Sequence, residues 1–225
     1  MNTKQPKALY FLAFTETWER FGFYCIQALL VLFLTKSLHF TDAKANGLYS
    51  AVSGLLYASP VIGGWLADRF LGFRKAIIFG AILYACGYIM MFSHASYGFY
   101  LALSLLIIAN GYFKANISSL LGSLYQKGDV RRDSGFTLFY LGINIGTLLG
   151  PIAASVLTER YNFHYGFGVS GIGILIGLAT FLYGRRYLGK HGVLPQYLEA
   201  RQPGHRPKHL HHFVIYAISL CAVLG

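Results

Sequence analysis

Long apolar segments separated by short polar segments make up most of this chain. Six of them are predicted to be helices of roughly 17 residues or more, enough to cross a hydrocarbon core about 30 Å thick. The six predicted helices cover residues 8–35, 45–70, 76–92, 97–125, 134–157 and 165–183. The pattern therefore predicts an all-α protein that crosses a membrane repeatedly.

The first apolar segment carries three charged residues, Glu16, Glu19 and Arg20. At 3.6 residues per turn they share one side of the helix with three further residues, Phe23, Tyr24 and Gln27. The opposite side, which carries the leucines at 29 and 30 and the phenylalanine at 33, is predicted to face lipid.

A charged side chain at the bilayer centre costs roughly 2.5–3.5 kcal/mol on insertion scales. If Glu16, Glu19 and Arg20 lie inside the membrane, they must therefore face one another, other helices or internal water. The alternative is that they lie at the helix end among the lipid headgroups. Because residues 8–13 are already apolar, we expect the charges to lie inside, where ionisable groups mark ion or substrate pathways.

The fourth apolar segment contains Lys114, with Asn110 and Ser118 one turn before and after it. A lysine can extend its ammonium toward the membrane surface, but long apolar runs on both sides favour a position in the middle of the membrane. We expect its partner to be Glu16 or Glu19, because those two carboxylates, Arg20 and Lys114 together carry no net charge.

Composition agrees with a membrane protein. Of the 225 residues 55% are hydrophobic and only 12% are charged, with a mean hydropathy of +0.49, whereas soluble domains average about 25% charged. The cysteines at 25, 86 and 221 are far apart in apolar runs and indicate neither a disulfide framework nor a metal site. No H-E-x-x-H or G-x-S-x-G pattern is present, so we do not expect an enzyme.

The net charge of +11 follows the predicted loops. Fourteen of the 19 lysines and arginines lie in the N-terminal tail, the loops after helices 2 and 4, and the segment after helix 6. These regions share one side of the membrane if the chain spans it six times. The positive-inside rule then predicts a cytoplasmic N-terminus in an inner or plasma membrane. The charge is explained by topology, and we expect no nucleic-acid partner.

Three regions are predicted. Residues 1–184 form a six-helix transmembrane bundle, and residues 185–212 form a basic cytoplasmic linker. The linker histidines His209, His211 and His212 either bind a metal or are simply solvated, and we predict no metal site. Residues 213–225 are apolar but too short to span a bilayer, so we expect them to begin a further helix of a larger protein.

Small residues recur every four positions on three predicted helices, which lets helix backbones approach closely in lipid. They are Gly111, Ala115 and Ser119 on helix 4, Gly142, Gly146 and Gly150 on helix 5, and Gly173 and Gly177 on helix 6. We interpret them as packing faces. Helix 5 also carries Asn144, which either binds a ligand or joins two helices.

Four segments resemble motifs of the proton-dependent oligopeptide transporter family, a branch of the major facilitator superfamily. They are ETWERFGFY at 16–24, GGWLADRFLGFRK at 63–75, ANGYFKANIS at 109–118 and FTLFYLGINIGTL at 136–148. The resemblance implies that the chain is the N-terminal six-helix bundle of such a transporter. The bundle would consist of two three-helix inverted repeats, with the substrate site near the membrane midplane.

The resemblance also implies roles for individual residues. Proton coupling would fall to Glu16, Glu19, Arg20 and Lys114. The peptide site would be lined by Tyr24, Gln27, Tyr57, Lys114 and Asn144. A cytoplasmic gate would use Asp68, Arg69, Arg74 and Lys75, although Asp68 is equally compatible with a helix cap.

Two positions depart from the family pattern. Phe23 stands where the family has the first of two tyrosines, and Gln27 stands where it often has Arg or Lys. The implied function is proton-coupled symport of di- and tripeptides by a monomeric transporter, which needs a lipid bilayer, a second bundle and no cofactor besides protons. The alternatives are another solute in the same fold, such as nitrate or a drug-like compound, and a half-transporter that carries nothing.

Overall fold

A computed structural model describes residues 4–93 and 98–193. Six helices follow one another: α1 Lys7–Lys36, α2 Asp42–Leu66, α3 Phe73–Phe92, α4 Gly98–Ser123, α5 Arg131–Arg160 and α6 Phe163–Gly184. All six are long and apolar enough to cross a membrane, and the described residues contain no strand. The predicted all-α, six-span fold is confirmed.

The helix ends differ from the predicted ones by a few residues, and two of the differences have a local cause. α5 begins three residues early because the Asp129 carboxylate accepts from the backbone N–H of Arg131 at 2.9 Å. The second predicted helix changes at its end into a π-helix, Ala67–Leu71. Gly72 stops it with φ of 78°, a conformation that favours glycine.

The packing divides the six helices into two sets of three with matching roles. α1, the first helix of the first set, packs most extensively against α5 and α6 of the second set. α4, the first helix of the second set, packs most extensively against α2 and α3 of the first. The third helices, α3 and α6, contact each other. This exchange is the packing expected of two related three-helix repeats, as in secondary transporters.

α1 is an inner helix, and this corrects one expectation. Leu29, Leu30 and Phe33 do not face lipid: each is buried, at 2%, 1% and 6% exposure. The Phe33 ring packs edge-on against Phe167 of α6, with 5.3 Å between centroids. Because α5 and α6 cover this side of α1, an apolar side chain there packs against protein.

The predicted glycine faces are confirmed as helix contacts. A methyl group built on Gly142 would lie 2.9 Å from the Ala13 carbonyl oxygen of α1, and one on Gly150 would overlap the Phe21 carbonyl. On α6, a methyl group on Gly177 would lie 3.3 Å from the Thr15 carbonyl oxygen. Helix association in lipid depends on such close approach.

The N-terminal tail and three of the basic regions meet at one end of the bundle. Gln5 donates to the Arg131 carbonyl at 3.0 Å and accepts from the Tyr125 hydroxyl at 2.8 Å, which joins the tail to the α4–α5 loop. Arg74 donates to the carbonyls of Gly189 and His191, which joins the start of α3 to the turn after α6. The predicted grouping of these regions on one side is therefore consistent with the fold.

The bundle predicted for residues 1–184 is thus described almost throughout. Most of the linker predicted at 185–212, with His209, His211 and His212, and the whole of 213–225 lie outside the described residues. The start of the linker forms a short 3₁₀ helix, Arg185–Leu188.

Candidate functional site

The three charges of α1 lie inside the bundle. Glu16, Glu19 and Arg20 are exposed by only 3%, 1% and 4%, more than two turns into the helix. Gly146 of α5 makes room beside them, because a methyl group built on it would lie 3.1 Å from the Arg20 Cβ. The charges therefore face the interior of the bundle and not its outer surface, and their depth in the membrane remains a prediction.

Arg20 binds both carboxylates. Its Nε and Nη2 donate to the two oxygens of Glu19 at 2.5 and 2.7 Å, a bidentate pair. The same Nε lies 3.2 Å from Oε1 of Glu16, one turn earlier. The other oxygen, Oε2 of Glu16, is buried without a hydrogen-bond partner among the described residues. Two buried carboxylates thus share one guanidinium, and one acceptor is left over.

The expected ion pair between Lys114 and a carboxylate of α1 is not formed. Within the described part of the chain no carboxylate oxygen lies within 4.0 Å of the Lys114 ammonium. The ammonium instead lies 5.2 Å from the centre of the Tyr57 ring, a cation–π distance. The pairing is instead made within α1, where Arg20 lies next to Glu19 and one turn from Glu16.

Lys114 nevertheless belongs to the same electrostatic cluster. Its ammonium interacts with the charges of Glu16, Glu19 and Arg20. It is only partly buried, whereas those three are almost fully buried. Lys114 is therefore the member of the cluster that a ligand can reach.

The predicted substrate residues occupy two neighbouring places. Tyr57 is 72% exposed beside Lys114. On α1, Tyr24 is half-buried against the Phe23 ring, and Gln27 accepts a 2.5 Å hydrogen bond from the Tyr49 hydroxyl of α2. The Gln27 carboxamide is thus held between α1 and α2.

Asn144 lies on an exposed part of α5. Tyr140, one turn earlier, is 57% exposed. Of the two interpretations left open for Asn144, helix joining is not supported by any hydrogen bond of its side chain in the described region. Ligand binding remains a prediction.

The predicted gate residues lie at the end of α2 and the start of α3. Asp68 is exposed in the π-helix, and the Arg69 guanidinium lies over the Trp65 ring at 5.7 Å. Arg74 is engaged with the turn after α6, and Lys75 is exposed at the start of α3. A gating role for these four residues remains a prediction.

Two buried residues beside the cluster were not predicted as functional. Tyr84 of α3 is 1% exposed and donates its hydroxyl to Oδ1 of Asn110 at 3.1 Å. Tyr84 also interacts electrostatically with Glu19 and Arg20. Spacing alone places Asn110 on the face of Lys114, but nothing in the sequence indicates that α3 supplies a hydroxyl to it.

No group of three or more metal-binding side chains is brought together in residues 4–93 and 98–193. The histidines weighed as metal ligands lie beyond this region.

Comparison with known proteins shows which proteins this chain is similar to. The family model described as POT family matches residues 74–199, more than half of the chain. Over 187 residues the chain is 41% identical to the uncharacterized transporter YclF of Bacillus subtilis (strain 168), covering 80% of this chain and 38% of that protein. Over 196 residues it is 38% identical to dipeptide and tripeptide permease A of Serratia proteamaculans (strain 568), covering 86% and 39%.

Solved structures give the same result. The crystal structure of peptide transporter POT in complex with sulfate superposes with a TM-score of 0.82 at 33% identity, covering all of this chain and 46% of that one. The crystal structure of tetrameric PepTSo2 gives a TM-score of 0.84 at 30% identity, covering 97% and 48%. The chain spans about two fifths of the length of the curated relatives it matches.

Proposed function

This chain belongs to the POT family, and we propose that it forms one of the two helical bundles of a proton-coupled symporter of di- and tripeptides. The observation that carries the proposal is that the two cations of the cluster differ in their partners and exposure. Arg20 is buried and contacts both buried carboxylates. Lys114 is partly exposed and has no carboxylate within 4.0 Å in the described region.

Coupling follows from competition for Lys114. A peptide carboxylate that reaches the exposed side of Lys114 would compete with Glu16, whose Oε2 has no partner among the described residues. Two unit charges 4 Å apart attract by about 4 kcal/mol at an effective dielectric constant of 20, and desolvation of both groups and solvent screening at the partly exposed Lys114 make the net gain smaller. Protonation of Glu16 or Glu19 removes negative charge from the cluster, so Lys114 becomes available to the peptide.

The coupled event would be a change of conformation. A ligand shifts an equilibrium between two states only by its difference in affinity for them. In this proposal the proton and the peptide both favour the state in which Lys114 binds the peptide carboxylate and is less strongly attracted by the α1 carboxylates. Each therefore promotes binding of the other, as linkage requires.

The chain would work together with a second bundle in an inner or plasma membrane. α2 and α5 are the least buried helices of the described fold. Both present large apolar side chains outward, among them Val61, Ile62, Leu148 and Ile152. A second bundle would cover part of this surface and close the site around Tyr57 and Lys114.

The grouping of the basic segments supports a cytoplasmic N-terminus, and we expect the complete transporter to be a monomer.

Peptide as substrate is supported by the permease relative, which is named for dipeptides and tripeptides. Gln27 supports a second candidate, another solute in the same fold, because its neutral carboxamide supplies no charge for a peptide carboxylate. Of the two solutes considered, nitrate and a drug-like compound, this argument favours a drug-like compound without an anionic group, since nitrate is itself an anion. Competition of dipeptides against these solutes in one uptake assay would separate the two. In either case we expect a transporter and not an enzyme.

The test is uptake by the complete gene product in proteoliposomes. We expect an inward proton gradient to accelerate entry of a labelled dipeptide and unlabelled dipeptides to compete with it. Equal uptake with and without the gradient would contradict symport. No uptake in either condition by a folded protein would support a bundle that does not transport.

A further inference from the structure

Pro60 interrupts the hydrogen bonding of α2. In an α-helix the carbonyl of residue i accepts from the N–H of residue i+4, and proline has no N–H. The carbonyl of Leu56 therefore lacks its backbone donor from within α2. Leu56 is only 6% exposed, and a buried carbonyl without a donor costs about 1–3 kcal/mol.

Asn110 of α4 supplies the missing donor. Its Nδ2 lies 2.5 Å from the Leu56 carbonyl oxygen and 3.3 Å from Oγ of Ser59. The Ser59 hydroxyl is itself 3.4 Å from the same carbonyl, a much longer contact. Asn110 is fully buried, so water does not compete for this bond. The side chain of one helix thus completes the backbone of another.

The other end of the Asn110 carboxamide is bound to a third helix. Oδ1 accepts from the Tyr84 hydroxyl of α3 at 3.1 Å. One carboxamide therefore joins α2, α3 and α4 at the level of Tyr84, which neighbours the Glu19–Arg20 pair. A residue bound at both ends is held in one orientation.

The contact between α2 and α4 around the Asn110–Leu56 bond also positions Lys114 and Tyr57. Tyr57 directly follows Leu56 in α2, and Lys114 lies one turn after Asn110 in α4. The two backbones are in contact here, because a methyl group on Gly111 would lie 2.8 Å from the Ser59 carbonyl oxygen. A change in the register of α2 and α4 would move the Tyr57 ring relative to the ammonium 5.2 Å from its centre.

We propose that Asn110 is a positioning residue, which completes the α2 backbone at Pro60 and thereby fixes Tyr57 and Lys114 opposite the α1 charges. The second part rests on the proposed function, because it concerns the binding of a peptide by those two residues. The first part concerns the fold alone and is tested without substrate.

The first test is a double-mutant cycle on the thermal unfolding midpoint, Tm, of the complete protein in detergent. Asn110→Ala should lower Tm because it leaves the Leu56 carbonyl without its donor. Pro60→Ala gives α2 its own N–H, so the drop caused by Asn110→Ala should be clearly smaller in the Pro60→Ala background. Non-additivity of this kind is expected of groups that share one hydrogen bond.

Two matched variants make the cycle specific. Pro151→Ala removes the proline within α5, and Asn110 donates to a carbonyl of α2. Pro151→Ala should therefore not reduce the drop in Tm caused by Asn110→Ala. Tyr84→Phe removes the bond at Oδ1 but keeps the bond to Leu56, so Pro60→Ala should not relieve its effect. If Asn110→Ala alone yields no monodisperse protein, recovery in the Pro60→Ala background supports the proposal and continued failure contradicts it.

The second test is the apparent KM for a dipeptide in proton-driven uptake, normalised to folded protein. We expect Asn110→Ala to raise KM several-fold, and the double variant to return to the value of Pro60→Ala alone. Equal drops in Tm in both backgrounds would overturn the backbone role, and an unchanged KM in Asn110→Ala would overturn the positioning role. Absence of dipeptide uptake by the unaltered protein would contradict the proposed function and leave the Tm cycle decisive for Asn110.

Discussion

Arg20 donates two hydrogen bonds, of 2.5 and 2.7 Å, to the carboxylate of Glu19, and both side chains are almost fully buried. Bidentate pairs of this kind are the strong ones among charge-assisted hydrogen bonds. The pair stands at the centre of the charge cluster of α1, and Glu16 is its third member.

Arg20→Gln should destabilise the protein strongly, because it leaves two buried carboxylates without their cation. Removal of one partner of a buried ion pair costs about 3–5 kcal/mol. The exposed Lys36→Gln on the same helix is the control and should change the free energy of unfolding by no more than about 0.5 kcal/mol. Denaturant or thermal unfolding of the three proteins in detergent measures the difference.

Replacement of all three charged residues, Glu16, Glu19 and Arg20, by neutral ones tests whether uncompensated charge causes the loss of stability in Arg20→Gln. Glu16→Gln and Glu19→Gln added to Arg20→Gln remove the uncompensated charge, and the triple variant should recover part of the lost stability. Equal stability of Arg20→Gln and the unaltered protein would show that the carboxylates do not depend on Arg20.

Gly146→Ala should also destabilise the protein, through sterics alone. A methyl group there would overlap the Thr17 carbonyl of α1 and lie 2.9 Å from the Phe21 nitrogen. Crowding of a packed interface costs about 1–3 kcal/mol. Gly54 of α2 is the matched control, because among the described residues nothing lies within 4 Å of a methyl group built on it.

Gly54→Ala should raise stability slightly, since alanine is favoured over glycine in a helix by about 1 kcal/mol. The measurement is the Tm of the two variants in the same detergent. Opposite shifts are expected, and a drop of equal size in both would contradict the α1–α5 packing described here.

The Asp129–Arg131 pair in the α4–α5 loop should give a pH dependence confined to acid. Hydrogen bonds from the Arg131 side chain and backbone lower the pKa of Asp129 to about 2. A carboxyl whose pKa is lower in the folded state contributes stability above its unfolded pKa of about 4. That contribution is lost as pH falls through about 2.

The stability difference between the unaltered protein and Asp129→Asn measures this effect. We expect a constant difference from neutral pH down to about 4, and a decline to nothing near pH 2. A difference that grows as the pH falls below 4 would have the wrong sign and would contradict the ion pair.

Much of the fold could be predicted from the sequence, because apolar segments of this length leave few alternatives in a membrane. The six spans, the interior position of Glu16, Glu19 and Arg20, and the glycine faces all follow from local patterns. The burial of Leu29 and Phe33 does not, because an apolar side chain suits lipid and protein interior equally well. Which side of α1 is covered depends on α5 and α6.

The pairing within the charge cluster was also beyond the sequence. Neutrality predicts that Glu16, Glu19, Arg20 and Lys114 belong together, and they interact as a set. It does not say which cation forms ion pairs with the two glutamates. That depends on whether the side chains within α1 can reach one another and on how far away α4 lies. The bond from Asn110 to Leu56 depends in the same way on the register of two helices. A proline four residues after a buried position is the local signal that such a donor is needed.

The most direct measurement of proton–peptide coupling compares two modes of dipeptide transport in Glu19→Gln, with the exposed Glu159→Gln as control. Gradient-driven uptake needs a group that binds and releases a proton, whereas counterflow exchange needs only the substrate site. We predict that folded Glu19→Gln loses gradient-driven uptake and keeps counterflow, while Glu159→Gln keeps both. Gradient-driven uptake by Glu19→Gln at the rate of the unaltered protein would contradict the account.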